Sequence, residues 1–291
     1  SLNVPLIEKR DLQYSARFNF DQTKSEITGI AAGIAPFYYS GGESGASAMY
    51  YVAPGVPYGA IYGRQFVEQC SQLPTAFQSQ CGGAGSNFQK NNEGLIVWTG
   101  GAALTDGITK NMWMAVNGKA VAPWGVTESW GNPIVLRDST GNAISNQSMG
   151  SALPDFRYSV AQSFTYRKFS AYMLLDAVKG NSVWDVGRAW SFGDFMNGEE
   201  SQFGQSVGLA KPLGYYFRAG KPDNAGVGGI YDVLNTNSRT VENGSYVKIR
   251  EVSVGYRIGK IGGQGDWTVS LIGRNLYTWT TYKGFDPETG G

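Results

Sequence analysis

Apolar and polar residues alternate in several separate stretches of this chain, and a period of two predicts strands with one oily and one wet face. Over residues 10–20, Leu12, Tyr14, Ala16, Phe18 and Phe20 fall on one side, and Asp11, Gln13, Ser15, Arg17 and Asn19 on the other. Residues 155–180 read as a tight hairpin. Phe156, Tyr158, Val160, Phe164 and Tyr166 share one parity, interrupted only by Gln162. The turn falls at Arg167-Lys168, and Phe169, Ala171, Met173, Leu175 and Ala177 carry the apolar face back. A closing pair lies within residues 246–287, its two runs joined by a glycine-rich turn and ending in an aromatic cluster. In its second arm Trp267, Val269 and Leu271 oppose Thr268, Ser270 and Arg274. In its first arm the apolar parity switches from Val247 and Ile249 to Val252, Val254, Tyr256 and Ile258. Either a bulge sits near Arg250-Glu251, or the residues before Glu251 stand above a membrane, wet on both faces.

Tyr246 and Tyr256 are ten positions apart, as are Trp267 and Tyr277. That is the length of a tilted strand crossing a bilayer with an aromatic residue at each interface, and Trp279 and Tyr282 extend the aromatic cluster. The fold expected is all-β: an antiparallel transmembrane β-barrel, present in part, with long extracellular loops. The loops are residues 31–155 and 181–245, rich in Gly, Pro and scattered Trp. Short strands are expected at 58–67, 95–99 and 134–137, a further run at 26–30, and a short helix at 183–190. Barrels of this kind place long loops outside the cell and tight turns in the periplasm.

Composition agrees with such a protein. Charged residues are 16% of 291, Gly numbers 41, and there are 8 Trp, 17 Tyr and 14 Phe. The low charge and high glycine fit turn-rich β structure, and the aromatic content argues against disorder. A net charge of +1 offers nothing to nucleic acid. The longest apolar passage, residues 29–39, is too short and too broken to span a membrane as a helix. Barrel strands give no such signal. The chain starts at Ser1 and stops at Gly291 directly after a strand, and is expected to be a piece of something longer.

Cys70 and Cys81, with ten residues between them and no other thiol in the chain, are expected to form a disulfide in an oxidising compartment. No metal site is expected. The chain has no His, so Gly204-Gln-Ser-Val-Gly208 cannot be the nucleophile elbow of a Ser-His-Asp enzyme. Gly214–Lys221 departs from the phosphate-loop spacing, Glu199-Glu200 reads as a solvated tip, and Asp138–Asn142 lacks the carboxylates of a calcium loop. Asn146 and Asn243 begin glycosylation sequons by pattern alone. No enzyme activity and no cofactor are expected. Trp98, Trp113, Trp124 and Trp130, with Trp184 and Trp190, either form platforms on which a sugar or another flat ligand stacks or pack the loops together, packing being favoured.

Three motifs carry a family resemblance. They are Pro154-Asp-Phe-Arg-Tyr158 leading to Phe164-Thr-Tyr-Arg-Lys-Phe169 and Gly180-Asn181; Ser245–Tyr256; and Arg274-Asn-Leu-Tyr-Thr-Trp-Thr-Thr-Tyr-Lys-Gly-Phe-Asp-Pro-Glu288. With weaker likeness at residues 11–27 and 57–63, they resemble the SusC/RagA-type TonB-linked outer-membrane transporters. The resemblance implies a large barrel of about 22 strands with a plugged lumen, set in outer-membrane lipid. It further implies import of an oligomeric nutrient, a glycan or a peptide, energised through TonB. This chain would be the C-terminal portion, with the plug domain that contacts the TonB complex and the final strand lying outside these residues. A SusD-like surface lipoprotein would cap the extracellular mouth. The alternatives are a soluble carbohydrate-binding β-sandwich and a structural barrel acting as scaffold in a surface assembly.

Overall fold

The structure is a computed structural model, and it describes residues 1–39, 50–101, 119–125, 127–129, 131–144, 146–194, 196, 198–206 and 237–289. Two compact units divide the chain: residues 1–26, 151–183 and 243–290, and residues 27–150 and 184–242.

The first unit is a single sheet of six strands, β1 (Leu2–Lys9), β2 (Leu12–Asp21), β3 (Phe156–Tyr166), β4 (Phe169–Lys179), β5 (Tyr246–Ile261) and β6 (Gln264–Thr280). Their spatial order is their chain order and every neighbouring pair is antiparallel. Three connections are two-residue turns, at residues 10–11, 167–168 and 262–263, and all three lie at one end of the sheet. The other two connections, residues 22–155 and 180–245, both leave from the opposite end. At the turn end the ladder continues across the tips: Arg167 N donates to Asp11 O (2.9 Å) and Arg257 N to Lys168 O (2.9 Å).

The hairpin of β3 and β4 has the expected arms and turn, with Tyr166 opposite Phe169. The parity switch in β5 is a bulge. On β4, Leu174 and Leu175 are consecutive, yet their partners are Glu251 and Ile249, so Arg250 is the extra residue. Against β6 the same two β5 positions pair with Arg274 and Tyr277, and Asn275 adopts a left-handed φ of 50° there. A bulge lets one strand change which parity faces which side without leaving the sheet.

β1 was not among the expected strands. Its own register slips between Pro5 and Ile7, so no single parity runs through it, which hides it from a period-two reading. Conversely, residues 26–30 form no strand.

The second unit contains a four-stranded sheet ordered Gln147–Ser151, Ala60–Gly63, Tyr50–Val52, Phe37–Tyr39, and a three-stranded one of Cys81–Gly82, Phe88–Lys90 and Ile96–Trp98. The expected strand at 58–67 shrinks to Ala60–Gly63, continued by isolated bridges at Arg64 and Phe66; 134–137 likewise contributes bridges, at Val135 and Arg137. Its core gathers Val67, Leu73, Phe88, Ile96, Trp98, Ala122 and Ile134. The helix α1 spans Val186–Gly193, starting three residues later than expected because Asp185 is its N-cap, accepting from Arg188 N.

Candidate functional site

Strand register converts the alternation into a surface. Phe20, Tyr158, Ala177, Val247 and Trp279 stand in one row across β2 to β6. Below it come Phe18, Val160, Leu175, Ile249 and Tyr277, then Ala16, Gln162, Met173, Val252 and Gly273, then Tyr14, Phe164, Ala171, Val254 and Leu271. Leu12, Tyr166, Phe169, Tyr256 and Val269 close the face at the turn end. Because the bulge flips β5 at the right level, five rows stay apolar across five strands. Gln162, the polar intruder, accepts a hydrogen bond from the Tyr14 hydroxyl (2.9 Å), which satisfies its carbonyl within the face.

Aromatic rings concentrate at both ends of this face. Phe169 and Tyr256 are 4.7 Å apart at the turn end, beside Tyr166 and Trp267. At the other end Phe20 stacks on Phe156 at 5.8 Å, and Tyr277 meets Trp279 edge-on at 4.7 Å. The eleven residues of β3 rise roughly 34 Å, which at a tilt of about 40° becomes roughly 26 Å of height, the apolar band of an outer-membrane barrel. Leu271, Val254, Val269, Trp267 and Trp279 are all exposed, Leu271 to 79%.

The opposite face is mixed, carrying Tyr172, Leu174 and the exposed Ile272 among hydrogen-bonded polar groups. Asn19 donates to Ser159 (3.0 Å), Arg274 pairs with Glu251 (3.1 Å), and Arg257 with Asp266 (2.9 Å). Above the bulge this face carries an ionic strap. Lys248 Nζ reaches Asp286 Oδ1 (2.7 Å) and Glu288 Oε2 (2.9 Å). Arg250 Nη2 reaches Asp176 Oδ2 (2.8 Å) and Glu288 Oε1 (2.7 Å). The segment after β6 is thereby folded back onto β5 and tied to β4. Local sequence makes the fold-back: Asp286 accepts from Glu288 N (2.9 Å) around Pro287, and the Tyr282 ring lies so close to Gly284 that a side chain there would collide with it. Hydrogen bonds from Arg250 and then Lys248 hold the Glu288 carboxyl down at about 2. At Asp286 burial pushes the pKa up, but the hydrogen bond from Lys248 outweighs it and the net shift is downward.

Tyr246 and Tyr282 therefore depart from the interfacial row expected of them. Tyr246 is only 7% exposed, its ring 5.0 Å from Lys248 Nζ on the wet side, because it lies before the bulge and so faces opposite to Tyr256. Tyr282 is buried within the strap. Tyr256, Trp267, Tyr277 and Trp279 lie on the apolar face.

In the second unit Cys70 and Cys81 are joined, Cα to Cα 5.6 Å, and pack against the core. Trp98 is 3% exposed, so it cannot be a platform. Trp124 stacks on Phe88 (5.6 Å), carries the Arg137 guanidinium on its ring (4.0 Å) and donates to Glu128 (3.3 Å). Glu128 is fully buried and pairs with Arg137 (3.1 Å) and Asn132 (2.8 Å), while burial pulls the Arg137 pKa down against the pull of Glu128. Trp98 belongs to the core of this unit, and Trp124 packs against it. Trp184 is buried as well and Trp190 exposed; Trp113 and Trp130 lie outside the described residues.

An aromatic surface does exist elsewhere. Tyr38, Tyr51 and Tyr62 form a ladder across three strands, at 4.9 and 4.8 Å, with Tyr39 and Tyr58 exposed nearby. Each of its strands is three or four residues long, too short to establish a period, and the doublets Tyr38-Tyr39 and Tyr50-Tyr51 are its trace in the sequence.

The remaining motifs have structural uses. Asp138 accepts from Thr140 N, Thr140 Oγ1 and Asn142 N, closing its own turn, and Glu199 pairs with Arg188 (2.9 Å). Among the described residues no group of side chains could hold a metal, and no helix is long and apolar enough to cross a membrane.

An open antiparallel wall with one apolar, aromatic-edged face, tight turns at one end and long excursions at the other is the architecture of a segment of a large β-barrel. Comparison with known proteins points the same way. No family model matches. Over 147 residues the chain is 26% identical to TonB-dependent receptor P26 of Formosa agariphila, covering 48% of this chain and 14% of the receptor. Its fold matches the RagAB peptide transporter at a TM-score of 0.55 and 18% identity, covering 99% of this chain and 26% of the transporter chain. The RagAB peptide importer in its open-open state matches at 0.53 and 14%, with 99% and 25% covered. The chain is thus similar to SusC/RagA-type TonB-linked transporters, the resemblance carried by its motifs, and spans about a quarter of those chains at most.

Proposed function

We propose that this chain is the C-terminal part of the barrel wall, with its extracellular loops, of an outer-membrane protein that imports an oligomeric nutrient with energy from TonB. The observation that carries the reading is the apolar face, continuous over five strands and bounded by aromatic rows at both ends. In a soluble sandwich such a face is covered by a second sheet, whereas here Leu271, Val269 and Trp267 stand exposed. The turn end then lies in the periplasm and the second unit outside the cell, where the Tyr38, Tyr51 and Tyr62 ladder offers ring faces to a passing ligand. A peptide is what RagAB is named for; a glycan suits the ladder equally, through stacking on tyrosine. A plug domain elsewhere in the full protein would contact TonB, and a SusD-like lipoprotein would close the mouth.

Uptake of labelled oligopeptides and oligosaccharides by cells carrying the full-length protein, with and without functional TonB, tests this. Uptake of one class that disappears without TonB is expected. Uptake that ignores TonB refutes import as stated, and surface assembly with no uptake of either class points to a scaffold.

A further inference from the structure

We propose that Lys248 and Arg250 form a carboxylate-binding site for an acidic oligopeptide, and that Glu288 occupies it as a tethered stand-in for that ligand. The inference rests on the import reading above, in which this face of the wall lines the passage that an oligomer crosses.

The geometry is that of ligand recognition. Arg250 meets the Glu288 carboxylate fork to fork, Nη1 donating to Oε2 and Nη2 to Oε1, both at 2.7 Å, and Lys248 Nζ closes on Oε2 at 2.9 Å. Two cations thus converge on one carboxylate. Asp176 accepts from Arg250 Nε (3.1 Å) and Nη2 (2.8 Å), which fixes the plane of the guanidinium and makes Asp176 a positioning residue. The other ion pairs of this face, Arg257 with Asp266 and Arg274 with Glu251, are each a single contact made by an arginine far more exposed than Arg250.

The two sides of the site are held differently. Lys248 and Arg250 belong to β5, which is paired along both edges, and the Lys248 side chain is only 5% exposed. Asp286 and Glu288 lie beyond β6, outside any strand, and the Glu288 side chain is 41% exposed, so solvent reaches the carboxylates while the cations are covered. Phe285 is fully exposed, so apolar packing at the tip adds nothing to the ionic grip. With the strap lifted, Lys248 and Arg250 would face Asp176 alone, two positive charges against one negative, which favours an incoming anion. The strap itself shows what fits: a peptide with carboxylates two residues apart, Asp286-Pro-Glu288. That selects an acidic peptide. A uronate carboxylate is bonded directly to a pyranose ring, without the two methylenes by which Glu288 reaches in between the cations.

The probe is a fluorescein-labelled pentapeptide of the strap's own sequence, Gly-Phe-Asp-Pro-Glu, amidated at its C-terminus, titrated by anisotropy into the full-length protein in mild detergent. The tethered Glu288 competes at an effective concentration on the order of millimolar, so wild type should bind weakly and Glu288→Gln roughly tenfold or more tightly. The neutral peptide Gly-Phe-Asn-Pro-Gln should bind neither. Adding Arg250→Gln to Glu288→Gln should cancel the gain, while adding Arg274→Gln should keep it. Heat-modifiable mobility reports assembly, and if the Arg250 variant fails to assemble, the gain from Glu288→Gln and its absence with the neutral peptide decide. Equal binding by wild type and Glu288→Gln overturns the proposal, as does a larger gain for trigalacturonate, used as a competitor, than for the acidic peptide. TonB-dependent uptake without the gain overturns this inference alone, whereas the gain together with uptake that ignores TonB keeps the site and overturns the import reading.

Discussion

Leu271→Arg separates a lipid-facing wall from a water-facing sheet. Leu271 is 79% exposed and sits one row in from the aromatic row at the turn end. In a bilayer an arginine costs about 2–4 kcal/mol at the midplane and about 0–1 at the interface, so about 1–2 at this depth. The exposed four-fifths of the leucine side chain is in contact with hydrocarbon there, and its loss adds about 1–2 kcal/mol. The sum, about 2–4 kcal/mol, is roughly a 30- to 700-fold shift in the folding equilibrium. In water the same exposed substitution stays within about 0.5 kcal/mol. The control is Ser270→Arg, exposed on the wet face, where the change stays small. Urea titration of the full-length protein folded into lipid vesicles, followed by tryptophan fluorescence and heat-modifiable mobility, measures both. A Leu271→Arg cost below about 0.5 kcal/mol, or one equal to that of Ser270→Arg, refutes the assignment of the face to lipid.

The strap gives a second expectation: Glu288→Gln removes the charge that both Lys248 and Arg250 grip, and tryptic cleavage at Lys283 should accelerate several-fold at neutral pH. Since the Glu288 pKa in the folded protein is depressed to about 2, the strap's ionic contribution is full above the ordinary glutamate range near 4.3 and is lost as pH falls from there through about 2. Trp279 fluorescence, followed from pH 6 down to 2, should change only in that lower window. Reducing the Cys70–Cys81 disulfide, which spans a sequence separation of 11, should cost the second unit roughly 3 kcal/mol. Limited proteolysis should show this as faster cutting within residues 60–140, with barrel mobility on gels unchanged. Trp98→Ala, at a 3% exposed core position, should destabilise the same unit by about 3–5 kcal/mol. Tyr51→Ala, at a half-buried position with a ring on each side, should cost less, about 1–3 kcal/mol, and lower ligand uptake, a contrast that comparing protease resistance with uptake of the two variants would reveal.

The wall was legible in the sequence wherever one parity held for a whole strand. Leu12 to Phe20 and the hairpin at Arg167-Lys168 announce themselves because a strand wet on one side and oily on the other can be written in no other way. The bulge at Arg250 was visible only as a change of phase, and its effect on Tyr246 required knowing the partner strands. Two motifs whose residues are far apart in the chain meet in space for local reasons: Asp155 packs on Gly180, whose N–H donates to Ser245 Oγ (2.9 Å). Lys248-x-Arg250 and Asp286-x-Glu288 are complementary in charge, yet nothing in their spacing states that they pair. In the second unit, strands of three or four residues carry no readable period, and hydrophobic burial there is set by long-range contacts. Trp98 accordingly lies in the core, and the Tyr38 ladder, on strands of three or four residues, had no period to announce it.

The central claim is that one face of this wall meets lipid and that its phase reverses at Arg250. A spin label placed in turn at each position from 246 to 258 of the full-length protein in vesicles tests it, with accessibility to oxygen and to a water-soluble nickel complex as the readout. Lipid accessibility should appear at 247 and 249, then at 252, 254 and 256, and be lost at the positions between. An alternation that runs unbroken through residue 250, or water accessibility at every position, would contradict the account.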